Sequence, residues 1–358
     1  MDLSSLFVAL LETLGDGETL LLAGLVVGIV FGVAAQRSRF CLRAAVVEFS
    51  GGRIGPRTAV WLLCFSTALV WTQAAALAGL VDLSTSRWLG QASSLSGAVI
   101  GGLAFGAGMV LARGCPGRLL VLSATGNLRA ILSGLVFVVT AQVTLRGLMA
   151  PARQELAGLS TTAGPTPSLQ ALGGLPDWTG LLLGCLFTAA ALWIARANQV
   201  GPRVLVFGSG VGFAAALAWF FTYQLSQLTF QPTSVESLSF SGPSADVLMF
   251  VLQPDGGVDF DIGLVPGVFV GAFLAALAAR ELAWQGWEGA RAMQRYLLGA
   301  VLMGFGAMLA GGCSIGAGVS GASTLALTAW VALASMWLGG TLVDHMIDRR
   351  AAAAEPSV

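Results

Sequence analysis

"GGLAFGAGMVLARGC" at 101–115 and "GAVLMGFGAMLAGGC" at 299–313 are one phrase written twice. Aligned, they match Gly101, Gly106, Gly108, Leu111, Ala112, Gly114 and Cys115 to Gly299, Gly304, Gly306, Leu309, Ala310, Gly312 and Cys313. Each copy is an apolar, glycine-rich run that stops at a cysteine, in a chain that is 56% hydrophobic and 10% charged. A soluble domain carries about 25% charged residues. The composition therefore predicts an all-α polytopic membrane protein, and the duplicated phrase is where its helices break.

Nine stretches have the length and apolar content of transmembrane helices: 20–36, 58–80, 96–114, 128–149, 178–196, 203–222, 262–280, 295–312 and 325–346. Segment 5–14 reads as a short interfacial helix. Three further stretches, 39–50, 115–126 and 313–323, are too short or too rich in glycine to cross, and read as re-entrant elements. Non-helical backbone is tolerated at membrane depth only where protein or a water-filled cavity satisfies its polar groups. The acidic start "MDLSSLFVALLETLGDGETL" does not resemble the basic start of a cleaved signal.

The chain contains no lysine, and its arginines are placed unevenly. Arg37, Arg39, Arg43, Arg53 and Arg57 follow the first span. Arg113, Arg118 and Arg129, then Arg196 and Arg203, then Arg280, Arg291 and Arg295 fall at alternate junctions. The positive-inside rule makes that face cytoplasmic. The other face receives 154–177 and the loop 223–261, with Glu236, Asp246, Asp255, Asp259 and Asp261. This puts the N-terminus outside and the C-terminus, with Arg349 and Arg350, inside. The two copies of the phrase then cross in opposite directions, so the chain reads as a single transmembrane domain of two inverted repeats: 1–150, a linker and central span 151–200, and 201–358. Two antiparallel bundles around the fifth span are expected, with binding elements near the bilayer midplane. The ladder Gly24, Gly28, Gly32 has a partial echo in Gly208 and Gly212. Cys41 has no cysteine counterpart.

The formal net charge of zero gives no polybasic surface for nucleic acid. The five cysteines form no CxxC pair, and His345 is the one histidine, so neither a metal site nor a cofactor is indicated. Cys64 and Cys185 sit inside unbroken apolar spans and read as packing residues. Cys115 and Cys313 sit at symmetric breaks, beside Gly114 and Gly312. Backbone N–H groups at glycine turns and helix ends attract anions. A thiol adds a weak donor and a polarizable sulfur, which suits a small anion with soft sulfur at one end. Arg113 and Arg118 would raise the local anion concentration, and they serve equally as topological anchors. Cys41, among Arg37, Arg39 and Arg43, reads either as part of the same route or as an incidental member of a basic loop.

"RSRFCLRAA" (37–45), "GAGMVLARGCPGRLLVLSATGNLRAIL" (106–132) and "GFGAMLAGGCSIGAGVSGASTLALTAW" (304–330) resemble, in order and separation, three cysteine-containing signatures of YeeE/YedE family membrane proteins. The resemblance covers essentially the whole chain. It implies an hourglass of long spanning and short re-entrant helices, a path for thiosulfate lined by Cys41, Cys115 and Cys313, and a cytoplasmic partner of the TusA-like sulfur-carrier type. The expected activity is import of thiosulfate across the bacterial inner membrane for sulfur assimilation, without catalysis. A different sulfur or selenium anion, or a membrane sulfurtransferase or redox protein using a cysteine persulfide, are the alternatives. Midmembrane carboxylates suited to proton coupling are not evident, and the "RGCPGR" form is bulkier and more charged than its partner in the second half.

Overall fold

The computed structural model describes residues 3–229, 233–253, 257–287 and 289–354, with side chains described for 7–347 of these. Asp255 lies outside the described residues, and of Arg349 and Arg350 only the backbone is described. The first half consists of α1 (Leu3–Leu14), α2 (Asp16–Ser38), α3 (Leu42–Ser50), α4 (Pro56–Leu77), α5 (Leu95–Leu111), α6 (Pro116–Ala124) and α7 (Leu128–Arg146). Then come α8 (Ala150–Gly158), α9 (Leu169–Gly173) and α10 (Trp178–Ala197). The second half consists of α11 (Pro202–Leu228), α12 (Gly242–Leu252), α13 (Phe260–Ala278), α14 (Ala290–Leu309), a wide helical turn at Gly316–Gly321 and α15 (Leu327–Ala354). Among the described residues nine helical stretches are long and apolar enough to span a membrane.

Within lipid there is little hydrophobic drive between helices, so close packing through small residues takes over. The glycine ladder of α2 shows it. A Cβ on Gly24, Gly28 or Gly32 would run into the carbonyls of Phe260, Leu264 and Val268 on α13, which therefore lies parallel to α2 at backbone contact. The partial echo in α11 does the same work: a Cβ on Gly212 would strike Thr67, the amide of Ala68 and the carbonyl of Cys64 on α4. Gly28 against Leu264 and Val268 thus reappears as Gly212 against Cys64 and Ala68.

The duplicated phrase packs against itself. Gly101 abuts the carbonyl of Gly306, and Gly306 that of Gly101; Gly108 and Gly299 do likewise, all at 2.5–2.7 Å for an added Cβ. Since 101 corresponds to 299 and 306 to 108, the first contact maps onto the second. Likewise Gly106 meets the Met336 carbonyl on α15, and Gly304 meets that of Phe137 on α7. These reciprocal contacts are those of an inverted repeat, and α5 and α14 are antiparallel across its axis.

Two expectations change. The halves do not form separate bundles around the fifth span. Their helices interleave, because each glycine face accepts a helix or backbone from the other half, α2 with α13 and α11 with α4. The fifth span, α10, sits at the periphery on α4, with Leu186 and Trp193 exposed. Segment 3–14 is helical as expected, but it is docked: Phe7 is buried and makes an edge-to-face contact with Phe221 at 5.8 Å.

The pairings put the ends of α2, α5, α10 and α13 and the starts of α4, α7, α11 and α14 on one arginine-rich face. Glu48 has a structural task there. Its carboxylate accepts from the N–H groups of Gly55, Arg57 and Thr58 and from the Thr58 hydroxyl, closing the start of α4.

Candidate functional site

Cys115 and Cys313 hold equivalent posts. Cys115 is the residue before α6, in extended conformation, with Pro116 at the first helical position and its carbonyl accepting from the Leu119 N–H at 2.8 Å. The Cys313 carbonyl accepts from Ala317, also at 2.8 Å. There the chain enters a wide turn in which Ser320 N–H reaches the Ile315 carbonyl, five residues back, at 2.8 Å. Such π-type turns recur at functional sites.

Both thiols are inside the protein, Cys115 2% and Cys313 0% exposed, so neither faces acyl chains. The Cys313 sulfur accepts from two backbone N–H groups, Gly316 on its own turn and Phe240, each at 3.4 Å. Donors converging on one point mark a place where negative charge is welcome. The Cys115 thiol faces the Ser314 hydroxyl, with Cys41 and Cys313 nearby. That hydroxyl is buried without a partner of good hydrogen-bond geometry. A Cβ on Gly117 would come within 2.6 Å of Ile315 and 3.0 Å of Phe240, and Phe240 leans on Phe31 with ring centroids 5.1 Å apart. The elements after both copies of the phrase and the segment carrying Phe240 therefore meet at one closed waist.

The two glycine breaks are not built alike. The left-handed residue that ends each helix is Arg113 (φ 57°) in one half and Gly311 (φ 76°) in the other. Gly312 is tightly held, an added Cβ lying 2.8 Å from the Ala317 nitrogen, whereas at Gly114 the nearest atom is Leu119 Cδ2 at an ordinary 3.4 Å. Intolerance to bulk is thus concentrated at Gly312.

On the arginine-rich side, Cys41 precedes α3 and lines a cavity of about 270 Å³ with Ser38, Arg39, Pro56, Arg57 and Val60. Arg39 pairs with Glu281 at 3.5 Å. Arg118 has a buried Nη1 without a partner and lies in the field of Cys41, Cys115, Arg39 and Arg57. The structure thus brings Cys41, Cys115, Cys313, Gly312, Arg39 and Arg118 into one continuous region. Arg113 turns away, over the Tyr296 ring at 5.8 Å. Cys64 is buried between α4 and α11 as a packing residue. Cys185 is not one: it is exposed on the outer surface of α10.

The sequence reading missed the stretch 233–241. It runs extended and mostly buried through the second half, with Ser237 donating to the Ala215 carbonyl and Ser320 to that of Leu238. It ends at Ser241, the residue before α12, whose carbonyl accepts from Ala245 as that of Cys41 accepts from Ala45. Cys41 therefore has a counterpart, and it is a serine. Its hydroxyl meets that of Ser239 at 3.2 Å, and an added Cβ on Gly316 would crowd the latter. The serine run "SLSFSGPS" (237–244) inside an outer loop was the available signal.

The sulphur transport family matches residues 37–342. The chain belongs to that family. Within it, the chain is 29% identical over 347 residues to the thiosulfate transporter TsuA of Escherichia coli (strain K12), covering 90% of this chain and 93% of that protein. It is 26% identical over 350 residues to the thiosulfate transporter TsuA of Spirochaeta thermophila, covering 91% and 99%. A member of the sulphur transport family with nine apolar spans among its described residues, it is a multi-pass bacterial membrane protein of the YeeE/YedE type. Among the described residues no group of three or more His, Cys, Asp or Glu side chains is placed to hold a metal.

Proposed function

We propose that the protein imports thiosulfate through the waist between its two halves, past Cys313, then Cys115, then Cys41. The observation that carries this reading is the convergence of two symmetry-related buried thiols with unengaged or redirectable donors. Around Cys313 the N–H groups of Phe240 and Gly316 are held by sulfur at 3.4 Å, a weak contact that an anion can take over. Around Cys115 stand the Ser314 hydroxyl, with the thiol as its one neighbour of this kind, and, further on, the unpartnered Nη1 of Arg118. Thiosulfate has two unlike ends. Its sulfane sulfur suits S–H donors, and its sulfonate oxygens suit N–H, O–H and guanidinium donors. The role is binding and handing on, with no covalent step.

In this reading the arginine-rich face is cytoplasmic, the N-terminus outside and the C-terminus inside. The repeats occupy 1–150 and 201–358, joined by 151–200. An inside-negative potential opposes a dianion by ~2.3 kcal/mol per charge per 100 mV. Net uptake therefore needs a concentration gradient, coupled ions or a sink, and a TusA-like sulfur carrier at the cavity of Cys41 would supply the last, its thiolate taking the sulfane sulfur as a persulfide while the S–S bond of thiosulfate breaks and sulfite leaves.

The test is uptake of radiolabelled thiosulfate by proteoliposomes, with the product inside identified and sulfate, sulfite and selenium oxyanions as competitors. Intact thiosulfate inside, competed weakly by sulfate, is expected. No uptake above protein-free liposomes, or label left on the protein as a persulfide, overturns the proposal.

A further inference from the structure

Away from the thiols, three arginines from three helix ends converge on one aromatic ring. Arg113 follows α5, Arg129 lies in the first turn of α7, and Arg295 precedes Tyr296 on α14. Their guanidinium carbons stand 5.8, 4.9 and 5.6 Å from the Tyr296 ring centroid. A ring has two faces, so its quadrupole does not serve three cations equally.

Arg129 is the telling member. It is only 7% exposed; its Nη1 donates to the Ala112 carbonyl at 3.1 Å, and its Nε is buried without a partner. The Nε of Arg295 is in the same condition. Among the described residues neither forms an ion pair. Arg43 on α3 stands between Cys41 and this group, near Arg113, Arg295 and one acid, Asp344, and its Nε too is buried and unpartnered. Burying cationic donors without acceptors is costly, and a structure tolerates it where a ligand completes them.

The inverted repeat supplies a control. By the correspondences above, Arg113, Arg129, Arg295 and Tyr296 answer to Gly311, Thr328, Gly97 and Ala98 at the opposite end. None of those four positions carries a charge or a ring; the opposite end has instead one arginine, Arg87, donating to the Gly311 carbonyl at 3.1 Å, and Trp88 packed against Gly311. The gathering of three arginines on one ring is therefore peculiar to the arginine-rich end.

We propose that Arg129 and Arg295 beside Tyr296, with Arg113 adding to the positive field, form a binding site for a tetrahedral oxyanion of the phosphate or sulfate type, distinct from the thiols themselves. Several oxygens on one centre can accept from several guanidinium forks at once. A free inorganic anion and the phosphate of an anionic lipid headgroup share this chemistry. The site stands independently of the cargo assigned to the waist, because its readout is binding.

The full chain, in neutral detergent and in nanodiscs, is assayed by thermal unfolding and native mass spectrometry. Probes are inorganic phosphate and sulfate against chloride at matched ionic strength, and phosphatidylglycerol against phosphatidylcholine. Arg295→Gln, which removes no intramolecular hydrogen bond seen here, is the main variant, and Arg129→Gln the second. A preference for phosphate or sulfate over chloride, weakened about tenfold by Arg295→Gln as expected for one charge-assisted bond, assigns a free anion. Retention of phosphatidylglycerol alone, weakened likewise, assigns a headgroup. No preference for either probe, or binding by Arg295→Gln equal to that of the unaltered protein, overturns the site. Should Arg129→Gln fail to fold, Arg295→Gln decides.

Discussion

Gly117 and Ile315 touch across the waist so closely that a Cβ on the first would lie 2.6 Å from Cδ1 of the second. One belongs to α6 and the other leads into the wide turn of the second half, so this contact sets how near Cys115 and Cys313 can come. Gly117→Val should overpack the waist, at a cost of about 1–3 kcal/mol, and depress uptake while the protein still reaches the membrane. Adding Ile315→Ala should restore part of the loss. Uptake by Gly117→Val equal to that of the unaltered protein would show that the contact does not govern the route.

The cysteines should separate by position. Cys115→Ala and Cys313→Ala are expected to lower uptake about tenfold or more, the worth of a contact to a charged ligand. Cys64→Ala and Cys185→Ala should stay near full rate. In detergent solution a maleimide should label Cys185, the exposed thiol, faster than the buried Cys64, Cys115 and Cys313. Mass spectrometry of the labelled peptides reads the pattern.

Glu48→Ala should destabilise without altering the cargo. The carboxylate accepts four hydrogen bonds at the start of α4, and losing such a cap costs ~1–2 kcal/mol. A lower unfolding midpoint with an unchanged uptake rate per folded molecule is the expected pair of results.

Burial lifts the Glu236 carboxyl above its ordinary value of 4.5, with Arg87 opposing and Asp259 and Asp246 adding to the rise; burial lifts Asp246 likewise. A carboxyl whose pKa is raised on folding stabilises fully below the unfolded value, and that stability is lost as pH climbs through the folded one. The unfolding midpoint should therefore fall between acid and neutral pH. Glu236→Gln should flatten that slope. An unchanged slope would remove Glu236 from the account.

The positions of Cys115 and Cys313 could be read from the chain because a glycine-rich apolar run cannot continue through them, and the duplication showed the break to be shared. The ladder Gly24, Gly28, Gly32 announced close packing but not the partner, since any backbone fits against glycine. α13 was found only in three dimensions. Ser241 escaped because a polar serine in an acidic outer loop looks like solvent-exposed chain, and only the matching turns at Ala45 and Ala245 identify it with Cys41. Arg129 was legible as a topological anchor, but its burial against Tyr296 depends on two helices far apart in sequence.

The interleaving of the halves bears on how the protein is made. When α2 leaves the ribosome, the helix that fills its glycine face, α13, has more than two hundred residues still to be synthesised. The early helices must wait in lipid with bare backbone on display, as must α5 for α14 and α15. Chains stopped before α13 would hold an unfilled seam, a natural target for quality-control proteolysis, and assembly would become irreversible only late in translation.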